Sequence, residues 1–299
     1  MAKKVISATV TPLKADGTLD RNGLKNIFER NVRHGIDGVF LFGSMGEWGS
    51  FSDSFKEEGV ELASELLKGK ADLLVGINAT SLPLSLANMK RYQKYDFDSY
   101  VFMLPGKTSA LDPVKSILTV LDAADRPVYY YHCPPVNDKE FSLDQFATIM
   151  AHPNLKGIKN SSSNMWLRRE LIAMRKERGF KTLLLEGQEW AVDEALMVGN
   201  DGMVCGMAAL TSKPMVELAR AAERGDWNEA RRLQELLIEI YHGVYGITIG
   251  NCWNGQKYAL QYLGLIETPF TLAQEMSLLT DDVKKRVEAC VDKYRKELD

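Results

Sequence analysis

The chain has 299 residues, 45% of them hydrophobic and 26% charged, which fits one large soluble α/β domain with room for an appended segment. A formal net charge of -3 gives no reason to expect nucleic acid or an anionic membrane as partner. No run approaches the roughly 20 apolar residues of a membrane span, and the opening M-A-K-K-V-I-S-A-T-V-T-P holds an apolar stretch too short for a signal peptide.

Short, β-branched apolar runs punctuate the chain at 5–10, 38–43, 72–77, 99–104, 127–132, 155–159, 182–186 and 202–206. Their apolarity is continuous rather than alternating, as expected of strands covered on both faces in a parallel sheet. Helical patterns fall between them. The first sets Leu24, Ile27, Phe28 and Val32 at helical spacing behind Asp20, a residue suited to an N-cap. Further helices are predicted over 56–67, 83–93, 113–121, 166–175, 191–198 and 214–222, with Pro113 and Pro214 near helix starts, where a missing N–H costs nothing. The alternation predicts an α/β fold of the (β/α)8 TIM-barrel type over residues 1–225. A doubly wound open sheet is the rival, but it seldom uses eight even units, and no G-x-G-x-x-G loop is present.

After Arg224, Gly225 and Asp226 only helical patterns remain. Residues 226–299 therefore read as a C-terminal helical extension packed on the barrel or on another subunit. Its first helix gathers Trp227, Ala230, Leu233, Leu237, Ile240 and Tyr241 near one face, and two more segments follow at 252–263 and 282–297.

The chemistry starts from Lys159, which ends the apolar run L-K-G-I-K just before the polar run N-S-S-S-N. A lysine at the end of a buried strand is costly unless something uses it. A desolvated ammonium tends to lose its proton, and a neutral amine attacks ketones to give imines. The fifth apolar run leads to Tyr131 and the second to Ser44, within G-S-M-G-E. Barrel enzymes carry their chemistry at the C-terminal ends of strands, so the three residues are predicted to converge on one mouth. Together they read as a Schiff-base enzyme for a small 2-oxo acid.

Taken singly, Lys159 would be a surface lysine and Tyr131 a core aromatic. Tyr129 and Tyr130 are expected to be core aromatics with satisfied hydroxyls, and His132 a hydrogen-bonded or tail-contacting group. Glu47 is expected to accept from buried N–H groups, and Gly43 and Gly46 to serve a turn. Trp48, Met103 and Met207 are expected near the mouth. The four cysteines, Cys133, Cys205, Cys252 and Cys290, form no C-x-x-C pair and no zinc or disulfide spacing, so a reducing, cytoplasmic setting is expected.

Over nearly its whole length the chain resembles the dihydrodipicolinate synthase / N-acetylneuraminate lyase family of class I, pyruvate-type aldolases. The residues that carry the resemblance are T-V-T-P-L near the start, G-S-M-G-E at 43–47, Y-H-C-P at 131–134, G-I-K at 157–159, G-Q-E-W at 187–190 and G-N-D-G at 199–202. The resemblance implies that Lys159 forms the imine and that Tyr131 passes protons while hydrogen-bonded to the Ser44 hydroxyl. It also implies that the N–H groups of Ser44 and Met45 hold the substrate carboxylate, that Val204 forms an apolar wall, and that Glu189 and Gly206 contact substrate. No metal or organic cofactor is expected, since the imine is itself the electron sink, and a tetramer built from dimers is implied.

Three departures bear on the substrate. The synthase branch lends a second tyrosine after the fourth strand, where this chain has F-M-L-P-G-K-T-S, and places an arginine after Y-x-x-P, where this chain has P-V-N-D. The lyase branch shows an acidic pair where this chain has Glu189 and Trp190. The expected reaction is therefore reversible cleavage of a 2-oxo-3-deoxy sugar acid to pyruvate and an aldehyde. The alternatives are 4-hydroxy-tetrahydrodipicolinate synthase, a 2-oxo acid dehydratase, or a non-catalytic 2-oxo-acid-binding protein.

Overall fold

A computed structural model of the protein describes residues 2–106 and 112–299. Eight parallel strands close into a barrel in chain order. They are β1 (Lys4–Ala8), β2 (Gly38–Leu41), β3 (Asp72–Gly76), β4 (Ser99–Phe102), β5 (Val128–His132), β6 (Leu155–Asn160), β7 (Leu183–Glu186) and β8 (Gly202–Cys205). Closure is made by β1 pairing with β8, from Lys4 opposite Gly202 to Ser7 opposite Cys205. The (β/α)8 expectation holds, and every strand falls on its apolar run.

The helices around the barrel are α1 (Arg21–His34), α2 (Asp53–Leu67), α3 (Leu82–Tyr92), α4 (Pro113–Ala123), the single turn α5 (Pro134–Asn137), α6 (Leu143–Met150), α7 (Met165–Arg178), α8 (Val192–Val198) and α9 (Ala208–Glu223). Asp20 caps α1 as expected, accepting from the Gly23 N–H at 2.8 Å. No helix was singled out from sequence between the fifth and sixth strands. The signal was present: Ser142 and Gln145 form a capping box at the start of α6. Pro214 lies inside α9 rather than at its start, but Thr211 breaks the helical dihedrals, so the proline sits in the first turn after a kink.

The extension comprises α10 (Trp227–Tyr245), α11 (Asn254–Tyr262), α12 (Asp281–Lys293) and α13 (Arg295–Leu298). One apolar core runs without interruption from the barrel's outer face into it. That core joins Tyr100, Phe102 and Ile158 on the strands to Leu233, Leu237 and Ile240 on α10 and to Val287 and Val291 on α12. Each such side chain contributes roughly 1.5–3 kcal/mol when fully buried.

Alternation along the strands divides the chemistry. Phe40, Leu74, Val101, Tyr129, Tyr131, Leu185 and Val204 fill the barrel interior, whereas Tyr130 belongs to the layer between barrel and helices. Two expectations change here. The Tyr130 hydroxyl is buried without a hydrogen-bond partner among the described residues. Among the described residues His132 likewise finds no partner for either ring nitrogen, and it packs edge-on against Phe141 and Phe146. Its ring contacts are to aromatic side chains, Tyr130 among them, rather than to a hydrogen-bond partner, and burial pushes its pKa down to about 4.

Candidate active site

Tyr131 and Lys159 are register partners on β5 and β6, so both point into the barrel at the same height. The Lys159 side chain is almost wholly buried, with Nζ 4.2 Å from the centroid of the Tyr131 ring and 5.7 Å from that of Phe40. Phe40 meets Tyr131 edge to face at 6.4 Å between centroids, which fixes the phenol from below. Burial raises the Tyr131 pKa above the ordinary tyrosine value, so the phenol is protonated at neutral pH. The Lys159 amine and the Ser161 hydroxyl oppose that rise, although the Ser161 hydroxyl meets no partner at hydrogen-bonding geometry among the described residues.

These side chains line a cavity of about 230 Å³ at the C-terminal end of the barrel, together with Ser44, Met45, Glu189 and Gly206. Six of the seven site residues expected from sequence therefore share one wall. The seventh, Val204, lies inside the barrel below the cavity and does not line it. The Ser44 hydroxyl makes no hydrogen bond to Tyr131 among the described residues, though both face the same space. Trp48 lines a separate depression with Asn78 and Arg91, Met103 packs in the barrel interior and Met207 in the outer core, so none of the three borders the cavity. The loop lacking the second tyrosine extends into 107–111, outside the described residues.

A larger cavity of about 440 Å³ opens at the opposite end of the barrel, lined by Asp37, Asp72, Asp96 and Asp98. The buried hydroxyl on its wall, Ser64, donates to the Val60 carbonyl at 2.8 Å, and the cavity lies at the end of the fold associated with stability rather than chemistry.

The turn 43–47 is shaped by its flanks. Phe42 and Glu47 carry the left-handed dihedrals, both at φ 57°, while Gly43 and Gly46 do not. Gly46 is needed for close approach, since a Cβ there would sit 3.0 Å from the Phe42 backbone. Glu47 is buried and accepts from the N–H groups of Leu272 at 2.8 Å and Ala273 at 3.1 Å, as expected from sequence, and in addition from the Lys257 ammonium. The N–H groups of Ser44 and Met45 donate to no protein acceptor among the described residues.

The seventh-strand loop is held equally firmly. Glu186 accepts from the N–H groups of Gly187 at 3.1 Å and Gln188 at 2.9 Å and is ion-paired with buried Arg168. Glu189 faces the cavity and accepts from the Met207 N–H at 2.6 Å. Burial raises its pKa, against the pull of that N–H and of the nearby Lys159.

Sequence reading missed how far the extension enters the site. Tyr241, Tyr245, Ile249, Cys252 and Trp253 roof the cavity. Gln234 on α10 accepts from the Val192 N–H and donates to the Glu189 carbonyl at 2.9 Å. Trp253, Gln256 and Lys257 hold Ser44, Gly206 and Glu47 respectively. Their spacing of three and four residues is the one local signal that would have placed them on a common helix face. Among the described lining residues Lys159 is the sole basic side chain, and no group of three or more His, Cys, Asp or Glu suited to a metal ion occurs among the described residues.

Residues 1–294 match the model of the dihydrodipicolinate synthetase family. Among curated relatives, an N-acetylneuraminate lyase of Escherichia coli (strain SMS-3-5 / SECEC) is 26% identical over 275 residues, covering 89% of this chain and 88% of the relative. Among solved structures, dihydrodipicolinate synthase from Bacteroides thetaiotaomicron superposes with a TM-score of 0.88 at 25% identity over 98% of both chains. The fold is shared also by CdNal from Clostridium difficile, solved in complex with mannosamine, at a TM-score of 0.87 and 21% identity over 98% of this chain and 99% of that one. The chain belongs to the dihydrodipicolinate synthetase family, and with it to the lyases of class I aldolase type.

Proposed function

We propose that the protein reversibly cleaves a 2-oxo acid bearing a C4 hydroxyl to pyruvate and an aldehyde. The observation that carries this reading is the Lys159 amine, buried against the Tyr131 ring at the wall of a cavity whose Ser44 and Met45 N–H groups meet no acceptor among the described residues. The carboxylate accepts from those N–H groups, which presents its 2-oxo carbon to Lys159. The amine adds, water leaves, and a protonated imine forms. The C4 hydroxyl gives up its proton to a base relayed through Tyr131, the C3–C4 bond breaks, and its electron pair moves into the iminium to give an enamine while the aldehyde departs. Protonation at C3 and hydrolysis of the imine release pyruvate and the free lysine. No metal or organic cofactor takes part, because the iminium is the electron sink.

The aldehyde half faces Trp190, Tyr241, Ile249 and Trp253, with the Glu189 carboxylate the nearest charge. With no second cation among the described lining residues, the departing aldehyde is uncharged, and the 3-deoxy sugar acid expected from sequence falls within that class. The same feature disfavours the synthase alternative, whose partner carries a second carboxylate. Exposed Met165 and Met197 border one depression between α7 and α8, beside exposed Trp166, and support self-association, with a homotetramer built as a dimer of dimers as the proposed assembly. The four unpaired cysteines support a reducing, cytoplasmic location. No described helix is long and apolar enough to cross a membrane.

Borohydride reduction in the presence of pyruvate is expected to add one reduced pyruvyl group to Lys159 and none to Lys159→Ala. Adduct persisting in the alanine variant would remove Lys159 from its role. Aldol condensation of pyruvate with a panel of neutral and anionic aldehydes then separates a lyase from a dehydratase or a non-catalytic binder.

A further inference from the structure

We infer that Trp253 is a positioning residue for the substrate carboxylate, acting through the Ser44–Met45 peptide. This rests on the aldolase reading above. The indole N–H of Trp253 donates to the Ser44 carbonyl at 3.2 Å, and the Glu47 N–H donates to the same oxygen at 3.1 Å. A trans peptide is planar and its C=O and N–H point in opposite directions. Fixing the Ser44 carbonyl from the side of α11 therefore turns the Met45 N–H the other way, where Met45 lines the cavity and its N–H finds no protein acceptor among the described residues.

The neighbours of Trp253 repeat this arrangement. Gln256, three residues on, donates from Nε2 to the Gly206 carbonyl at 3.0 Å, and its Oε1 accepts from the Tyr245 hydroxyl at 2.9 Å, which sets the amide the right way round. The Met207 N–H of the Gly206–Met207 peptide points oppositely, to Glu189. Lys257 anchors Glu47 at the far end of the turn. One helix face thus orients two cavity-lining peptides, and Trp253 serves the one whose N–H meets no acceptor among the described residues.

The test compares two ketones in borohydride trapping on Lys159: pyruvate, and acetone, which forms the same imine but carries no carboxylate. In Trp253→Phe the ring stays and the N–H is lost. The pyruvate concentration for half-maximal trapping is expected to rise about three- to tenfold, the worth of one hydrogen bond, while that for acetone is unchanged. Trp253→His, which keeps a ring N–H, is expected to recover part of the loss and provides the readout should the phenylalanine variant fold poorly. Equal shifts for both ketones, or no shift for pyruvate, would overturn the role of Trp253. Failure of the unaltered protein to trap either ketone would instead refute the aldolase reading itself.

Discussion

Glu47 and Lys257 lie 210 residues apart in sequence, yet their side chains form an ion pair with no exposure on either partner. Burial pulls the Lys257 ammonium below its ordinary pKa, and Glu47 opposes that pull. Removing one partner strands a buried charge, so Lys257→Met should lower stability by about 3–5 kcal/mol. The double variant Glu47→Gln, Lys257→Met should recover much of that loss. Urea unfolding of the three proteins checks both statements, and additive losses would show that the pair is not coupled.

Gly187 stands where the seventh-strand loop passes Lys159. A Cβ there would lie 2.1 Å from Ser161 Oγ and 2.9 Å from Lys159 Cε. Gly187→Ala should therefore displace the lysine while leaving the barrel folded. The expected result is a native circular dichroism spectrum with pyruvate trapping reduced at least tenfold, and normal trapping would mean that the loop yields instead.

Tyr131→Phe retains the ring against Phe40 and deletes only the phenol. Pyruvate should still be trapped on Lys159, whereas turnover should fall by roughly 10²–10⁴-fold, the usual worth of a positioned acid–base group. Unchanged turnover would move proton transfer to another group.

His132 makes the protein sensitive to acid. Its pKa is about 4 in the folded chain against an ordinary 6.5, so it is neutral in both states above pH 6.5. As the pH falls from 6.5 towards 4, the unfolded chain gains a proton that the folded chain does not, and stability is lost. At pH 4.5 the loss from this residue amounts to about 2.5 kcal/mol. Replacing it as His132→Leu should shrink the stability difference between pH 7 and pH 4.5 by that amount. His34, also lowered to about 4, contributes to both proteins and cancels. An undiminished difference would point to other groups.

The barrel was legible because its strands are continuous apolar runs, and the convergence of Lys159, Tyr131 and Ser44 on one cavity was legible because they end such runs. What escaped were contacts between distant segments. Nothing local marks Lys257 as buried or Trp253 as a partner of Ser44, because both facts depend on how α11 crosses the mouth. Val204 points inward as alternation predicts but lies a level below the cavity, and depth along an inward-facing row is set by no local pattern. Tyr130 is the core aromatic expected, and whether its hydroxyl meets a partner depends on segments distant in sequence.

The closure of β1 on β8 and the grip of α11 on the turn at Ser44 also bear on timing. Growing on a ribosome at about 5–20 residues per second, the chain makes Ser44 roughly 10–40 s before Trp253 and Lys257 emerge to hold it. A nascent polypeptide that already contains Lys159 and the turn at Ser44 still lacks the side chains that hold that turn, so its geometry is settled only once α11 has been made.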